Sequence, residues 1–405
     1  MNNQQIELLA PAGDLNRGKI ALDFGADAIY LGAKAYSLRA RASNFDYEQV
    51  AEISEYAHHL NRKIYLVSNI VCHNHMLEGF TNFINNVMQY KIDGFLCTDP
   101  FIIKKIKTNY PNVDIHISTQ QSVTNSKSAL FFARNGAKRI VTAREVSFKE
   151  LIPMIKNVQK KIEIEIFCHG AVCIAYSGRC MLSSNYCLRD ANNGGCAQSC
   201  RWVSTLYDEH QKYSDTFSMS AKDMCLITRT KEIIDAGVSA IKIEGRMKSE
   251  HYIATVVNAY RKIIDKTYAS DTSSNDEYYA DVLNAANREI SKGWFDGEPS
   301  TFEMLYHEVP KQVNQLFACV INKKLSDVTY EVVSRNYFTI NNTFQAVGVK
   351  LKHIEEMKIV NIKDQFGNDL SVVNTPMSKL TITLDKNIDL SPKDILRIKV
   401  NTNRL

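Results

Sequence analysis

The chain has 405 residues, 45% hydrophobic and 23% charged, with a formal net charge of +5. That length exceeds one small domain, and the balance is globular, which excludes a disordered or fibrous chain. No apolar run reaches about eighteen residues and the N-terminal MNNQQIELLAPAGD lacks a basic head followed by an apolar stretch, so no membrane span and no secretory leader are expected, and a cytoplasmic protein is.

Short apolar runs alternate with helix-like segments over the first two thirds. The strand candidates are IELLAPA (6–12), AIYLGA (28–33), KIYLVSNI (63–70), GFLCTD (94–99), DIHISTQ (114–120), RIVTAR (139–144), IEIEIFCHG (162–170) and AIKIEGR (240–246). Their Ile, Val, Leu and aromatic content suits strands covered on both faces. Segments of helical period lie between them, as at 46–59 and 147–158, and several strands follow a helix-closing glycine, as in FGADAIYL, NGAKRIV and AGVSAIKI. Eight strands with crossover helices over about 265 residues predict a TIM-like (β/α)8 barrel. The alternative is an open doubly wound sheet, but the first turn, APAGDLN, is not GxGxxG, so a dinucleotide fold has little support.

One connection breaks the rhythm: about seventy residues separate Gly170, ending strand seven, from Ala240, starting strand eight. Loops after barrel strands emerge at the catalytic face, so this insertion (171–228) is expected to cover the barrel mouth. After a helix at 249–266 comes the polar, linker-like YASDTSSNDE (268–277), then a helical segment near 277–292. From about 315 short alternating runs such as VTYEVVS and KLTITL predict a small antiparallel barrel or sandwich. The predicted organisation is a catalytic barrel at 1–266, a linker and helical connection at 267–310, and a β domain at 311–405.

In such a barrel the polar residues at strand C-termini are site candidates: Asn69, Asp99, Ser118, Thr119, Gln120, Arg144, Glu145, His169, Glu244 and Arg246. Each alone reads equally well as a solvated loop residue or a structural ion pair; together they converge on one face. Arg144, Arg246, Lys242 and Arg39 are candidates to hold a small dianion, since the guanidinium fork donates two parallel hydrogen bonds to a carboxylate. Asn69, Gln120 and Glu145 are further candidates for substrate contacts. His169 beside Glu165 or Glu244 suits acid–base work.

Six of the ten cysteines lie within 167–201. Cys173, Cys180, Cys196 and Cys200 are spaced C-x6-C-x15-C-x3-C and flanked by glycine in SGRC and NGGC. Thiolates suit zinc or iron–sulfur. Only the last pair has the spacing of structural zinc, and the looser set fits a 4Fe-4S cluster at least as well. Arg179 and Arg201 are placed to offset its charge. Cys187 and Cys225 compete as ligands, Cys168 reads as a core residue, and Cys72, Cys97 and Cys319 as structural. A catalytic thiol served by His169 is disfavoured, because one nucleophile does not explain a cluster of cysteines. Disulfides are disfavoured in a cytosolic chain.

These residues carry a resemblance to the peptidase U32 family. Its E-x-F-x-H-G-x-x-C-x-x-x-S-G-x-C run reads EIFCHGAVCIAYSGRC at 165–180, and its G-x-C-x-x-x-C-R lies within GGCAQSCR at 194–201. LAPAGD (9–14), GADAIYLG (25–32), STQ (118–120), SAKDMCLI (220–227) and IKIEGRMKSEHY (241–252) also match, so the resemblance covers about 1–265. The family is named for collagenase-like activity, yet neither HExxH nor GxSxG occurs here. Its other groups are iron–sulfur proteins that support hydroxylation: of the wobble uridine of tRNA to 5-hydroxyuridine, depending on prephenate; of a cytidine in 23S ribosomal RNA; and, by a pair of proteins, of ubiquinone.

Length and the single C-terminal β domain resemble the tRNA group. The resemblance implies a 4Fe-4S cluster on Cys173, Cys180, Cys196 and Cys200, prephenate as a dianionic co-substrate, tRNA as partner, room for a paralogous subunit, and an RNA-holding β barrel. Cluster, anion and flipped base are then expected to share the mouth, with His169 and an acidic partner moving protons. Lys104, Lys105 and Lys107, or Lys156, Lys160 and Lys161, are candidates to meet phosphates. The alternatives are a U32-type peptidase, an enzyme of the rRNA group, and a non-catalytic RNA-binding factor.

Overall fold

The computed structural model describes residues 5–38, 43–207, 212–286, 288–305, 315–348, 350–351 and 353–399. Eight parallel strands run in chain order: β1 (Glu7–Ala12), β2 (Ala28–Leu31), β3 (Lys63–Ser68), β4 (Gly94–Cys97), β5 (Asp114–Ile117), β6 (Arg139–Val141), β7 (Glu163–Ala171) and β8 (Ala240–Ile243). Each pairs with the next, and β8 also pairs with β1, so the sheet closes. Closure removes the open-sheet alternative and is the TIM-like barrel expected from the strand count.

The crossover helices are α1 (Leu15–Asp23), α2 (Tyr47–His59), α3 (Asn74–Val87), α4 (Pro100–Asn109), α5 (Ser126–Arg134), α6 (Phe148–Val158), α7 (Thr230–Asp235) and α8 (Glu250–Tyr268). Their starts follow the sequence: the side chains of Asp14, Asp46, Asp99, Asn125 and Ser249 accept hydrogen bonds from first-turn amides that have no partner within the helix.

Strand alternation sorts side chains onto two sides. Leu8, Ile29, Ile64 and Phe95 face outward into the main core beneath the helices. Leu9, Tyr30, Tyr65, Val67, Leu96 and Val141 face inward as a separate cluster with Phe167. Ionic groups fill the lumen beside this cluster. Arg139, 3% exposed, pairs with Glu7 at 2.5 Å, Glu163 at 2.7 Å and Glu165 at 3.2 Å, and Tyr65 donates to Glu7 at 2.9 Å. A buried guanidinium of this kind is tolerable only because it is multiply paired.

β7 outruns its neighbours. Its last residues pair antiparallel with Asp223–Cys225, and its pairing with β8 shifts register between Lys242 and Ile243. Gly170, at φ 102°, lets this crossing happen, since a β-carbon there would collide with the Glu244 carbonyl. The insertion between β7 and β8 holds a short helix (Leu182–Cys187), several tight turns, and a hairpin of Ser204–Tyr207 with Lys212–Phe217.

After α8 the chain forms α9 (Asp276–Ala285) and then a closed antiparallel barrel: β9 (Gln315–Lys324), β10 (Thr329–Ser334), β11 (Thr343–Val347), β12 (Glu355–Lys363), β13 (Lys379–Leu384) and β14 (Ile395–Lys399). The segment between the barrels is docked: α8 continues to Tyr268, and Tyr278, Val282 and Phe295 bury in the main core. The small barrel packs on α8 and α9 through Phe317, stacked on His251 at 5.9 Å, and through the buried Arg397–Asp281 ion pair. Among the described residues no helix is long and apolar enough to cross a membrane.

Candidate active site at the barrel mouth

The strand ends and the insertion enclose a cavity of about 120 Å³. Its floor is the upper lumen, where Tyr30, Val67, Leu96, Val141 and Phe167 surround Lys242. The Lys242 ammonium lies 4.3 Å from the centre of the Tyr30 ring and 3.4 Å from the Glu165 carboxylate. Burial lowers its pKa, and Glu165 works against that shift.

The wall holds Asn69, Gln120, Arg144, Glu244 and Arg246. Arg144 stacks on Phe167 at 4.0 Å and has no ion pair among the described residues. Arg246 donates to Ser37 at 2.9 Å and to Asn44 at 2.6 Å. Glu244 accepts from the Tyr30 hydroxyl at 3.3 Å. Asn69 accepts from the Leu38 amide at 3.3 Å and donates to Ser118 at 3.4 Å. Gln120 is 2% exposed.

The roof is the insertion, and Cys173, Cys180, Cys196 and Cys200 all line the cavity from it. Burial pushes the Cys200 thiol up; Arg201 opposes the shift, and Cys173, Cys196 and Cys180 add to it, so these three stand within electrostatic reach of Cys200. Cys187 is not among the residues that line the cavity. Cys168 and Cys225 lie in the main core. Among the described residues no group of three or more His, Cys, Asp or Glu is arranged to hold a single metal ion. Four thiols bordering one cavity are soft donors of the kind that hold zinc or an iron–sulfur cluster.

Side chains from elsewhere fasten the roof. Glu145 accepts from the Ser177 amide at 2.6 Å and its hydroxyl at 2.8 Å. Arg179 donates to the Gln120 carbonyl at 2.6 Å, and the Asn192 amide group brackets the Cys180 backbone at 3.2 and 3.0 Å.

Several residues expected in the site lie elsewhere. His169 does not line the cavity. Beyond the register shift it packs against Tyr252 and Tyr260 of α8, with the Tyr260 hydroxyl 3.4 Å from Nδ1. Burial and the nearby Lys248 push its pKa down to about 3, which favours the neutral imidazole. Glu165 lies beneath the cavity, fully buried between Lys242 and Arg139. Glu145 binds the roof and does not line the cavity. Asp99 caps α4 and lines a second, more open cleft of about 590 Å³ outside the roof, with His73, Arg179 and Asp190. Lys107 and Lys156 end α4 and α6, and Lys160 and Lys161 precede β7, which puts them at the barrel face opposite the mouth. Arg39 lies outside the described residues.

Sequence reasoning missed Tyr30, Phe167, Ser177 and Asn192. Phe167 was accessible in principle, since it alternates with Glu165 on β7; Ser177 and Asn192 had no local signal.

Over residues 13–304 the chain matches peptidase family U32. A Bacillus subtilis (strain 168) protein described as tRNA hydroxylation protein P1 is 38% identical, covering 96% of this chain and 94% of its own. A Haemophilus influenzae protein described as tRNA hydroxylation protein P is 30% identical, covering 98% and 97%. A Porphyromonas gingivalis protein described as a collagenase is 30% identical, covering 73% and 74%.

Proposed function

The chain belongs to peptidase family U32, and from that premise we propose that it is a cytoplasmic RNA-modifying enzyme. It converts the wobble uridine of tRNA to 5-hydroxyuridine, with prephenate as co-substrate and a 4Fe-4S cluster on Cys173, Cys180, Cys196 and Cys200. The observation that carries this reading is the meeting of those four thiols with Lys242, Arg144 and Arg246 around one cavity. The near full-length match to two relatives described as tRNA hydroxylation proteins supports it.

A cluster held by Cys173, Cys180, Cys196 and Cys200 would supply electron transfer at the cavity roof. The protein's own residues do the rest. Arg144 and Arg246 offer forks, and Lys242 a point charge, to the carboxylates of a small acid. Glu244 is the carboxylate at the cavity wall and takes a proton-accepting role there. The insertion covers the cavity from above. Exposed Tyr176, Tyr186, Trp202 and Tyr207 on the insertion offer stacking surface to an unpaired anticodon loop, whose base is cheap to splay out.

A cavity of about 120 Å³ is below the roughly 300–1,000 Å³ usual for small-molecule sites. The acid and the base therefore do not fit together in the cavity in this arrangement. The peptidase reading has less support: among the described residues no histidine lines the cavity to serve a nucleophile.

The test is anaerobic purification with iron and sulfide analysis, followed by tRNA nucleoside analysis of a deletion strain carrying the wild-type chain or its cysteine variants. Cluster content with 5-hydroxyuridine restored by the wild type alone supports the proposal. A preparation without iron, or a deletion strain with unchanged 5-hydroxyuridine, refutes it.

A further inference from the structure

Gln120 exposes only 2% of its surface, yet neither its side-chain oxygen nor its side-chain nitrogen has a hydrogen-bond partner among the described residues. Gln120 lines the cavity, and its two amide atoms are themselves closed off in this arrangement, so a ligand reaches them by a shift of the side chain. Its backbone is pinned: it sits in the tight turn Thr119–Gln121 after β5, its carbonyl accepts from Arg179 at 2.6 Å, and the Thr119 hydroxyl beside it donates to the Thr142 carbonyl at 2.9 Å. Burying an unpaired amide is costly, so one that borders a cavity is a place to look for a ligand contact.

The chemistry of the amide narrows that ligand. A primary amide presents an acceptor and a donor side by side in one plane. Carboxylate and phosphate only accept, and would leave the Gln120 oxygen unpaired. The Watson–Crick edge of a pyrimidine satisfies both ends: N3–H and a neighbouring carbonyl in uracil, N3 and the exocyclic amine in cytosine. The amide matches either by turning over about its last bond. Tyr30 and Phe167 border the same cavity, with Lys242 over the Tyr30 ring and Arg144 over the Phe167 ring. We propose that Gln120 reads the Watson–Crick edge of the pyrimidine that enters the cavity, leaving the C5–C6 edge of the ring free for reaction. The inference rests on the RNA-modifying reading above and assigns a residue to base recognition within it.

The test uses the full chain, purified anaerobically with its metal content recorded, and two anticodon stem-loop RNAs, one with uridine at the wobble position and one abasic there. The wild type is expected to prefer the uridine loop by roughly ten- to a hundredfold, the range of a bidentate base contact. Gln120→Met, which keeps the length and removes both polar ends, is expected to lose that preference while the protein without RNA stays as stable as the parent or becomes more so. Gln120→Glu, which lacks the donor end, keeps the result readable should the methionine variant not fold. Uridine preference intact in either folded variant overturns the proposal, as does marked destabilisation of the RNA-free methionine variant, which would make the amide a structural group. If those results come from a wild type that still forms 5-hydroxyuridine in cells, only the base-reading role fails. If the wild type neither prefers the uridine loop nor modifies tRNA, the RNA-modifying reading fails with it.

Discussion

The Lys242 ammonium stands 3.4 Å from the Glu165 carboxylate, with 4% of one side chain and none of the other exposed. Glu165 is also held by Arg139 at 3.2 Å, and Arg139 by Glu7 and Glu163. A column of alternating charge therefore rises through the barrel and ends at the cavity floor. Breaking a buried pair leaves an uncompensated charge and typically costs about 3–5 kcal/mol. Glu165→Met is expected to lose that much in denaturant titration. The Glu165→Met/Lys242→Met double variant is expected to lose less than the sum of the single changes, by roughly 1–3 kcal/mol. Simple additivity would show that the pair is not coupled.

The four roof thiols and the remaining cysteines are expected to separate cleanly. Alanine at Cys173, Cys180, Cys196 or Cys200 is expected to strip most of the iron from anaerobic protein that otherwise carries about four irons per chain. Cys187→Ala and Cys225→Ala are expected to keep it, because one lies off the cavity and the other is buried in the main core. Iron loss in the Cys187 variant would reassign the ligands.

Glu145 is expected to act through the roof. It accepts both Ser177 donors, and Ser177 is 2% exposed, so Glu145→Ala leaves a buried amide and hydroxyl without their acceptor. The cost is about 1–3 kcal/mol, local to the insertion. Faster hydrogen exchange at the Ser177 and Gly178 amides, with weaker iron retention and an unchanged barrel core, is the expected signature. Unchanged exchange there would remove the clamp.

Two buried groups give opposite pH trends in stability. Burial raises Asp394 from 3.8 to about 7, with the Ser391 amide acting the other way. Between those values the folded chain holds the proton more tightly, so this contribution is full below 3.8, falls as pH rises, and is gone above about 7. Asp394→Asn is expected to stabilise the protein at about pH 8 by a few kcal/mol at most and to do little at about pH 4. His169 is pushed from 6.5 down to about 3, so its contribution is full above 6.5 and is lost as pH falls towards 3. His169→Phe is expected to lessen acid sensitivity below 6.5. Thermal melts across pH check both, and a His169 that titrates near its ordinary value would contradict the buried placement.

Much of the barrel was legible in the sequence. Short runs of branched and aromatic residues, spaced by helical periods and helix-closing glycines, mark eight buried parallel strands, because burial on both faces and crossover length are local demands on composition. The concentration of cysteines in one overlong connection marked the roof, because a loop after a barrel strand emerges at the mouth whatever its own conformation. Asn69, Gln120, Arg144, Lys242, Glu244 and Arg246 reach the cavity because strand direction alone puts strand ends there.

Tertiary structure decided which way the remaining side chains turn. His169 reads as an inward residue by alternation from Phe167, but the register shift between Lys242 and Ile243 intervenes and it packs on α8. Glu145 reads as a substrate contact, but its partner, Ser177, lies 32 residues away, and no local pattern announces such a pairing. The column beneath Lys242 joins residues from β1, β6, β7 and β8, brought together only when the sheet closes. Periodicity and composition are properties of neighbours in the chain and can be read from it; register, facing and long-range ion pairing are properties of neighbours in space, and only the closed barrel determines them.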